Sequence, residues 1–522
     1  MMIEPFGSEA VLVHLPPEKI ISVHHSLTEG TPNQPSPDQP RIHWLVESIP
    51  AEDTLLIRLD QPCTPDVLRE LSEFIAEATA HPSASVGDNL GTVDIAVHYQ
   101  GEDIKEVAAA CGMSIEHLIE LHAQAEYRVA FCGFSPGFAY LKGLPGQLHL
   151  PRRATPRTAV PAGSVAIAEH YSAIYPRSSP GGWHLLGYTD EVLFDPTRDS
   201  PARLNAGMQV RFVPSRAPMI TLSDRAALPS HPHTPAVEII SPGVSSLVQD
   251  LGRIGWGAAA VSPSGAWDRQ SHRLAQRLVG NPEQAAGLEC VGGGLHLRAL
   301  RAITIAVTGA PGPVYRRQQG VRTAVDAFTG LTLAAGDEVI IGAATTGLRR
   351  YVALRGGIDT PEILGSRSFD TLSQLGPRPL ASLDLIGVQT TSLPIPGIDG
   401  VVIEPSAPAL ETYFWPTPIW AALHSDTDIA LADGAFTVSP NSDRIGVRLN
   451  GPALTWDVPP PPTAASRPMV RGAIQLPPDG RPLILGPDHP TTGGYPVIGV
   501  LTDPDAPAQW PPGATVRLRP RQ

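Results

Sequence analysis

At 522 residues, the chain is longer than the roughly 100–200 residues that one compact domain holds, so about three or four domains are expected. Its 57 prolines and 49 glycines favour short strands and turns over long helices, and 42% hydrophobic residues suit a water-soluble protein. The formal net charge of −13 argues against nucleic-acid binding, which requires clustered cations. We therefore predict a mainly β fold.

The cysteines and lysines limit the chemistry further. Four scattered cysteines form no C-x-x-C pair, so we expect reduced thiols and a cytoplasmic location rather than a disulfide framework. We expect no secretion signal, and no run of about 18 apolar residues suggests a membrane span. Because no lysine follows Lys142, any anion site in the last two thirds must use arginine, backbone N–H groups or a metal.

Residues 1–90 are predicted to form a small α/β domain. Ala10–Leu15 and Thr54–Asp60 have the composition of strands. Thr64-Pro65-Asp66 then predicts the start of a helix, with a capping side chain and a proline in the first turn. This region gives the mainly β chain an α/β N-terminal part.

A second domain is predicted over residues 91–225. Alternating apolar residues from Val93 to Val97 indicate a strand, and two helical stripes follow, the second with Ser114 as its cap. His122 lies on that apolar stripe, where a buried and hydrogen-bonded histidine is expected rather than a catalytic one. From Tyr127 to Pro214, short apolar runs separated by Gly and Pro predict a β-barrel or sandwich.

A linker is predicted over residues 226–236, on the Pro- and His-rich segment Pro229–Pro235. The second half, residues 237–522, begins with a strand-like run and contains a predicted helix near Asp268–Val279. Most of the remainder consists of short strand-like runs. The proline run Pro459–Pro462 is expected to form an exposed loop or a hinge.

Glycine-rich turns and arginines dominate the motifs of the first half. Phe134–Leu141 predicts a tight turn with aromatic flanks, in which Gly137 adopts positive φ. Arginines between residues 151 and 157, beside the turn at Ser179–Trp183, suggest an anion cradle; solvated arginines at barrel corners are the alternative. The candidate residues of this cradle are Arg157, Ser179, Gly181 and Gly182.

The same segments, in the same order, resemble the B subunit of bacterial ATP-dependent 5-oxoprolinase. This family is also called allophanate hydrolase subunit 1, and it includes the Kip-type inhibitor of a histidine kinase. The resemblance covers most of residues 5–214 and rests on GFSPGFAYL, PRRATPR, VPAGSVAIA, IYP and SPGGW. Glu169-His170-Tyr171-Ser172 departs from the Gln-Thr or Gln-Gly that the family commonly has before IYP.

A second series of motifs resembles the C subunit of 5-oxoprolinase, also called allophanate hydrolase subunit 2 or the biotin-dependent carboxyltransferase family. It covers about residues 237–520 and includes QDLGR, SPSGAWD, LVGN, GGID, LGSR, SDR, GAIQ and DHPTTGGYP. Two departures stand out. Pro490 replaces the family's usual Gln, and residues 376–384 depart from its Gly-Arg-x-Leu…Gly-Asp stretch.

The resemblance implies a small N-terminal α/β domain, a cyclophilin-like β-barrel and two further β-barrel-like subdomains in residues 237–522, with barrel domains in tandem. It implies an ATP- and Mg²⁺-dependent hydrolysis of the lactam 5-oxoproline to glutamate. That reaction requires a separate A-type subunit, so an oligomeric assembly is expected, without nucleic acid or membrane. No Gly-x-x-x-x-Gly-Lys-Ser/Thr loop is present, so a nucleotide site of that kind is not expected.

Polar residues of these motifs are the candidate site. The catalytic candidates are Asp488, His489 and Asp250, with the histidine suited to acid–base work near neutral pH. The substrate- and phosphate-binding candidates are Arg253, Arg367, Arg444, Gln249, Thr491, Thr492, Gly493, Arg157, Ser179, Gly181 and Gly182. The metal ligands stay open. Asp268 and Asp443 are expected to cap a helix start and a turn. For Arg253 and Arg444, the alternative to binding a ligand is an ion pair with an acid that holds a loop in place.

Two other functions are consistent with this family. One is the carboxyltransferase part of a biotin-dependent urea carboxylase or allophanate-type system, although the chain has no biotin-accepting Met-Lys dipeptide. The other is a non-enzymatic, Kip-like regulator of a histidine kinase. Allophanate hydrolysis itself is disfavoured, because no Ser-Ser-Lys amidase signature is present.

Overall fold

A computed structural model gives the fold of most of the chain. It describes residues 2–28, 44–80, 90–216, 234–392, 394, 400–401, 410–432, 436–458 and 465–521. Most of the predicted linker (residues 226–233) and the proline run Pro459–Pro462 lie outside these residues. The described residues form four modules, two in each half.

The first module is an antiparallel sheet with two helices. Its elements are β1 (Met2–Pro5), β2 (Ala10–His14), α1 (Pro17–Thr28), β3 (Leu45–Pro50), β4 (Thr54–Leu59) and α2 (Pro65–Ala80). The sheet order is β1-β2-β4-β3. The predicted helix start is confirmed, since Thr64 Oγ1 accepts the N–H of Val67 at 3.4 Å. Leu71 and Ile75 of α2 pack with Val11 and Ile57 of the sheet.

The second module is a seven-stranded sheet with two helices. Its elements are β5 (Thr92–Val97), α3 (Ile104–Ala110), α4 (Ile115–Gln124), β6 (Tyr127–Cys132), β7 (Ala139–Lys142), β8 (Arg157–Val160), β9 (Ser164–Ala168), β10 (Tyr171–Ile174), β11 (Ser179–Gly181), β12 (His184–Tyr188) and β13 (Gln209–Pro214), with a 3-10 helix at Gly146–Leu148. The order is β12-β9-β10-β7-β6-β13-β5, and β8 pairs with β11. Backbone hydrogen bonds of 2.8 and 3.0 Å between His98 and Tyr188 join the two edge strands, which gives the sheet its barrel form.

The third module consists of two sheets that enclose one apolar core. Its elements are β14 (Pro235–Pro242), β15 (Ser245–Gln249), a 3-10 helix (Gly257–Ala259), α5 (Arg269–Leu278), β16 (Gly287–Val291), β17 (Leu295–Ala299), β18 (Ile303–Gly309), β19 (Val314–Gln318), β20 (Val321–Val325), β21 (Gly330–Leu333), β22 (Glu338–Ile341), β23 (Arg349–Leu354) and β24 (Leu385–Gly387). The orders are β20-β19-β22-β17-β14-β24 and β15-β16-β23-β18-β21. Helix α5 starts where predicted, because Asp268 accepts the N–H of Ser271 at 2.9 Å.

The fourth module is a closed barrel. Its elements are β25 (Glu411–Pro416), a 3-10 helix (Pro418–Ala422), α6 (Thr427–Ala432), β26 (Phe436–Val438), β27 (Gly446–Asn450), β28 (Arg467–Pro468), β29 (Ala473–Gln475), β30 (Leu483–Leu485), β31 (Thr492–Gly493), β32 (Val497–Leu501), a 3-10 helix (Ala506–Gln509) and β33 (Thr515–Pro520). The barrel order is β25-β32-β29-β30-β27-β26-β33, and β28 pairs with β31.

The predicted fold class is confirmed: the chain is mainly β, with an α/β N-terminal part and barrel-like sheets in tandem. One boundary differs from the prediction. Strand β14 begins at Pro235 and not at Val237, because Pro235 pairs with Gly387 at the first position of the strand, where a proline is tolerated. Within the described ranges, no helix has the length and apolar character needed to cross a membrane.

An apolar interface joins the first sheet to the C-terminal barrel. Phe6, Leu12 and Leu56 of the first module form one buried cluster with Met469 and Val500 of the barrel. Burying side chains of this size stabilises an interface by about 1.5–3 kcal/mol each. The N-terminal α/β sheet therefore fixes the position of the second half relative to the first.

Candidate functional site

The motifs of the two halves meet where the halves touch. Gly133, in the GFSPGF turn, is so close to Thr492 that an added Cβ would lie 1.9 Å from Thr492 Oγ1. The N–H of Gly137 donates to the carbonyl of Ala259 at 3.1 Å. Gly133 and Gly137 belong to the first half and Thr492 and Ala259 to the second, so the candidate site combines residues of both halves.

Backbone strain marks the GFSPGF turn. Phe134 has φ of 66°, a left-handed conformation that is costly for a large side chain. Its ring packs edge-on against Phe138 at 5.3 Å, while Gly137 has the predicted positive φ, at 77°. The hydroxyl of Ser135 is buried and has no hydrogen-bond partner among the described residues. The turn therefore combines an unfavourable backbone conformation at Phe134 with a buried hydroxyl at Ser135 that is unpaired among the described residues.

Asp488 is a fully buried carboxylate that accepts five hydrogen bonds. Arg444 binds it with two N–H groups, at 2.9 and 3.0 Å. Ser264 Oγ donates at 2.8 Å, and Thr371 donates through its N–H at 2.9 Å and its hydroxyl at 2.7 Å. Both carboxylate oxygens are thereby occupied, which favours a positioning role for Asp488 over proton transfer or metal binding.

Arg444 extends this network to Glu289, a buried acid of β16 that is not among the predicted site residues. Arg444 Nη1 lies 2.5 Å from Glu289 Oε1, and Arg349 Nε lies 3.4 Å from the same oxygen. The other oxygen accepts the hydroxyl of Tyr351 at 2.9 Å and the N–H of Trp267 at 2.8 Å. Although burial opposes ionisation, the two arginines and these donors lower the pKa of Glu289 to about 2.

Asp250 fixes the loop that follows β23. Its carboxylate accepts the hydroxyls of Ser366 at 2.7 Å and Ser368 at 2.5 Å. It also accepts the N–H groups of Gly252 at 2.7 Å and Arg367 at 2.6 Å. Four donors occupy both oxygens, so the geometry favours loop anchoring for this residue as well.

Arg253 and Gln249 each have one buried polar atom without a hydrogen-bond partner among the described residues. Arg253 is 1% exposed and donates to the carbonyls of Ser368 and, at 3.4 Å, Ile363. Gln249 donates to the carbonyl of Phe369 at 2.8 Å. Arg253 Nη1 and Gln249 Oε1 have no partner within the described part of the chain. Buried unpaired groups of this kind are places for an ordered water or a ligand.

Asp370 is a site residue that sequence analysis missed. It is fully buried and accepts the hydroxyl of Ser373 and, at 2.8 Å, the N–H of Leu372. Burial, together with the nearby charge of Asp488, raises the pKa of Asp370 to about 6. The only signal was an acid within the Ser/Thr-rich segment after LGSR, and the pattern does not show that it lies beside Asp488.

His489 is buried and its Nδ1–H donates to the carbonyl of Pro490 at 2.8 Å. Burial lowers the pKa of His489 to about 4, so the ring is neutral at pH 7. Thr491 Oγ1 is buried without a partner among the described residues. Gly493 pairs with Arg467 in the β28–β31 ladder. The DHPTTGG segment therefore contributes a neutral histidine and an unused hydroxyl.

The arginines of the predicted first-half cradle pair with an acid. Arg157 Nη2 lies 2.6 Å from Asp103 Oδ1, and Arg153 Nη1 lies 2.9 Å from the same atom. The second oxygen of Asp103 accepts the N–H of Leu185 at 2.8 Å. Nη1 of Arg157 is nevertheless buried and unused among the described residues. Arg157 is thus held in place, while its Nη1 amino group is unpaired among the described residues.

The remaining cradle residues form a turn against an aromatic cluster. A Cβ on Gly181 would lie 2.2 Å from the hydroxyl of Tyr175, so glycine is needed there. The carbonyl of Gly182 accepts the N–H of Arg153 at 2.8 Å, and Ser179 Oγ is buried without a described partner. Arg177, in the same turn, donates to the carbonyl of Leu372 in the second half at 3.0 Å.

Arg367 lies at the edge of the site. Its Nη1 pairs with Glu362 at 2.5 Å and its Nε donates to the carbonyl of Thr360 at 2.9 Å.

His122 is buried and hydrogen-bonded to Tyr99 and Ser172, which confirms its expected structural role. Asp443 accepts the N–H of Ile445 at 2.8 Å, as expected for a turn cap.

A bound Mg²⁺ would need free carboxylate oxygens. Both oxygens of Asp250 and both oxygens of Asp488 already accept hydrogen bonds from protein donors. Across the described ranges, no group of three or more His, Cys, Asp or Glu side chains is arranged to hold a metal ion. The described residues therefore do not offer a ligand set for Mg²⁺ at Asp250 and Asp488.

Comparison with known proteins places both halves in one family. The carboxyltransferase domain, subdomains C and D, matches residues 1–204, and subdomains A and B match residues 259–520. The B subunit of the 5-oxoprolinase of Escherichia coli O157:H7 is 43% identical over 184 residues, covering 34% of this chain and 81% of that protein. The C subunit of the 5-oxoprolinase of Haemophilus influenzae is 29% identical over 300 residues, covering 54% and 90%.

Two further relatives extend the comparison. A urea amidolyase of Lachancea kluyveri is 30% identical over 321 residues, which is 56% of this chain but 17% of that protein. The crystal structure of TTHA0988 covers 100% of both chains at 30% identity with a TM-score of 0.83. The chain therefore belongs to the carboxyltransferase domain family and joins, in one polypeptide, a half similar to the B subunit of 5-oxoprolinase and a half similar to the C subunit.

Proposed function

We propose that this chain is the fused B and C component of an ATP-dependent 5-oxoprolinase, which opens the lactam of 5-oxoproline to glutamate together with a separate A-type subunit. The observation that carries the proposal is the joint site, in which Gly133 of the B-like half abuts Thr492 of the C-like half. Fusion holds the two halves at equal stoichiometry. Both would then be needed for activity.

The chemistry requires an activated amide. Lactam resonance makes direct hydrolysis difficult, so transfer of the ATP γ-phosphoryl group to the amide oxygen would create a better electrophile for water. Breaking the C–N bond releases the amine of glutamate, and the overall products are glutamate, ADP and phosphate. Because both oxygens of Asp250 and of Asp488 already accept hydrogen bonds within this chain, we propose that the nucleotide and its Mg²⁺ are held mainly by the A-type subunit.

The residues of this chain would then bind and orient the lactam. Arg253 Nη1 and Gln249 Oε1 are a buried donor and a buried acceptor without a partner among the described residues, and Thr491 Oγ1 adds a hydroxyl. His489, neutral at pH 7, is the group suited to accept a proton from water. Asp488 and Asp250 would fix the surrounding loops and touch no reacting atom.

A biotin-dependent carboxyltransferase is the second candidate. It is favoured by the similarity to urea amidolyases over 56% of the chain. In this case the same joint site would accept a carboxyl group from a carboxybiotin carried by another protein. The two candidates differ in the required co-substrate, ATP or carboxybiotin.

The test is reconstitution. The purified chain is mixed with its A-type subunit, 5-oxoproline, ATP and Mg²⁺, and glutamate and ADP are quantified, with each protein omitted in turn. We expect equal amounts of glutamate and ADP only when both proteins are present, and a large loss with Thr491→Ala but not with Arg481→Gln on the surface. Carboxyl transfer to urea from carboxybiotin, without any lactam opening, would replace the proposal by the second candidate.

A further inference from the structure

A separate pocket, lined by both polar and apolar groups, opens at one edge of the third module. Its volume is about 350 Å³, and it shares no residue with the candidate functional site. Four segments line it: the residues that lead into β18, strand β21, the residue after β23, and the four residues after β24. These walls come from both sheets of the module, so folding of the whole module is needed to form the pocket.

The charge of this pocket is opposite to that of the chain. Arg301 and Arg355 line it, and none of its lining residues is Asp or Glu, in a chain with a net charge of −13. Four threonines and Gln389 supply the other polar groups. Such a lining disfavours cations and offers only positive charge and neutral hydrogen-bonding groups to a ligand.

A tight turn places Arg355 beside the segment after β24. Gly356 has φ of 97°, and a Cβ there would lie 2.1 Å from the carbonyl oxygen of Gln389. The N–H of Gly356 donates to Asn281 Oδ1 at 2.7 Å, and Arg355 Nη1 donates to the carbonyl of Val279 at 2.8 Å. These bonds fix the orientation of the Arg355 guanidinium at the wall of the pocket.

Arg301 is the second cationic side chain of the pocket. Its side chain is exposed and has neither an ion pair nor a hydrogen bond among the described residues. In the same lining, Thr304 and Thr332 are hydrogen-bonded to each other at 3.1 Å, and Thr304 is only 8% exposed. One guanidinium held by protein contacts and one without such contacts among the described residues, together with these hydroxyls, are suited to binding an anion.

We propose that this pocket binds a phosphate group. A carboxylate presents two oxygens in one plane, which a single guanidinium fork satisfies, whereas a phosphate presents three or more oxygens in a tetrahedral arrangement. Donors on four separate segments match the second geometry. The group can come from free inorganic phosphate or from a nucleotide, and this site lies beyond the lactam chemistry proposed above.

The test is direct binding to the full chain without any A-type subunit. Inorganic phosphate alone and ADP alone are titrated calorimetrically at low ionic strength. We expect Arg301→Gln to weaken binding at least tenfold. Arg355→Lys, which keeps the charge but loses the fork, is expected to weaken it further. Arg481→Gln removes the same charge from an exposed position outside the pocket and should leave binding unchanged.

The possible results distinguish free phosphate from a nucleotide phosphate as the ligand, and both from failure of the proposal. Binding of inorganic phosphate that depends on Arg301 assigns the site to free phosphate. Arg301-dependent binding of ADP alone assigns it to a nucleotide phosphate. No binding of either ligand, or equal weakening by Arg301→Gln and Arg481→Gln, overturns the proposal. None of these results depends on whether glutamate is formed.

Discussion

The two halves each contain a cluster of arginines around a buried carboxylate, but the clusters differ in how completely the charges are paired. In the second half, Arg444 binds Asp488 with two N–H groups and Glu289 with a third, all at 5% exposure or less. In the first half, Arg157 and Arg153 share one oxygen of Asp103 and are 19% and 28% exposed.

This difference distinguishes charged groups that stabilise the fold from charged groups that are available to bind a ligand. A closed, buried network holds loops in place because every oxygen and most N–H groups are occupied, and it cannot easily change partners. The open cluster keeps two arginines near one carboxylate, with Arg157 Nη1 unused. Residues with the same chemistry in the sequence therefore have different roles, and the following variants test this comparison.

The largest effect is expected for Arg444→Ala. The change leaves Asp488 and Glu289 buried without their common cation, which typically costs about 3–5 kcal/mol. We expect a large fall in the free energy of unfolding, measured by urea denaturation of the full chain. A loss below about 1 kcal/mol would show that the network does not hold the second half together.

The next largest effect is expected for Gly133→Ala at the contact between the halves. The added Cβ meets Thr492 Oγ1, and such overpacking usually costs about 1–3 kcal/mol. We expect lower stability and lower glutamate formation from this single variant. Thr492→Ala removes the clashing oxygen, so the double variant should recover most of the loss in a double-mutant cycle. Additive losses would contradict direct contact between the two motifs.

Asp370→Asn tests a buried carboxyl group that forms no ion pair with an arginine among the described residues. Since the pKa of Asp370 is raised from 3.8 to about 6, the folded protein binds its proton more tightly than the unfolded chain does. The wild-type protein is therefore stabilised at low pH and loses this contribution as pH rises through about 6. We expect Asp370→Asn to be more stable than wild type at pH 8, by on the order of 2 kcal/mol, and equal to it near pH 4.

Urea denaturation at several pH values checks this expectation. Asp443→Asn, at an exposed turn, serves as the control and should show no comparable change between pH 4 and pH 8. If Asp370→Asn were less stable than wild type at pH 8, the ionised carboxylate would be a favourable partner in the native state. The contrast between Asp370 and Asp488 would then disappear.

The smallest effect on stability is expected for Arg157→Ala. This pair is partly exposed and Arg153 remains to neutralise Asp103, so a loss of about 1 kcal/mol or less is expected. The free energy of unfolding is measured as for Arg444→Ala. A loss as large as that of Arg444→Ala would show that both clusters are structural and remove the distinction between them.

Local structure followed closely from the sequence. The capped helices at Thr64, Ser114 and Asp268 and the positive φ of Gly137 depend on neighbouring residues, so short patterns sufficed to predict them. The order of motifs also identified the family. Asp370, in contrast, could not be selected, because its importance arises from contact with Asp488, which is distant in sequence.

The sequence alone therefore determined the mainly β composition, the helix starts, the family and the segments that carry polar motifs. The tertiary structure decided which of those polar groups are already used. It gave both oxygens of Asp250 and of Asp488 hydrogen-bond donors from other loops, and it left Arg253 Nη1 and Thr491 Oγ1 buried and unpaired among the described residues. The physical reason is that hydrogen-bond capacity is consumed by long-range contacts, which short sequence patterns do not contain.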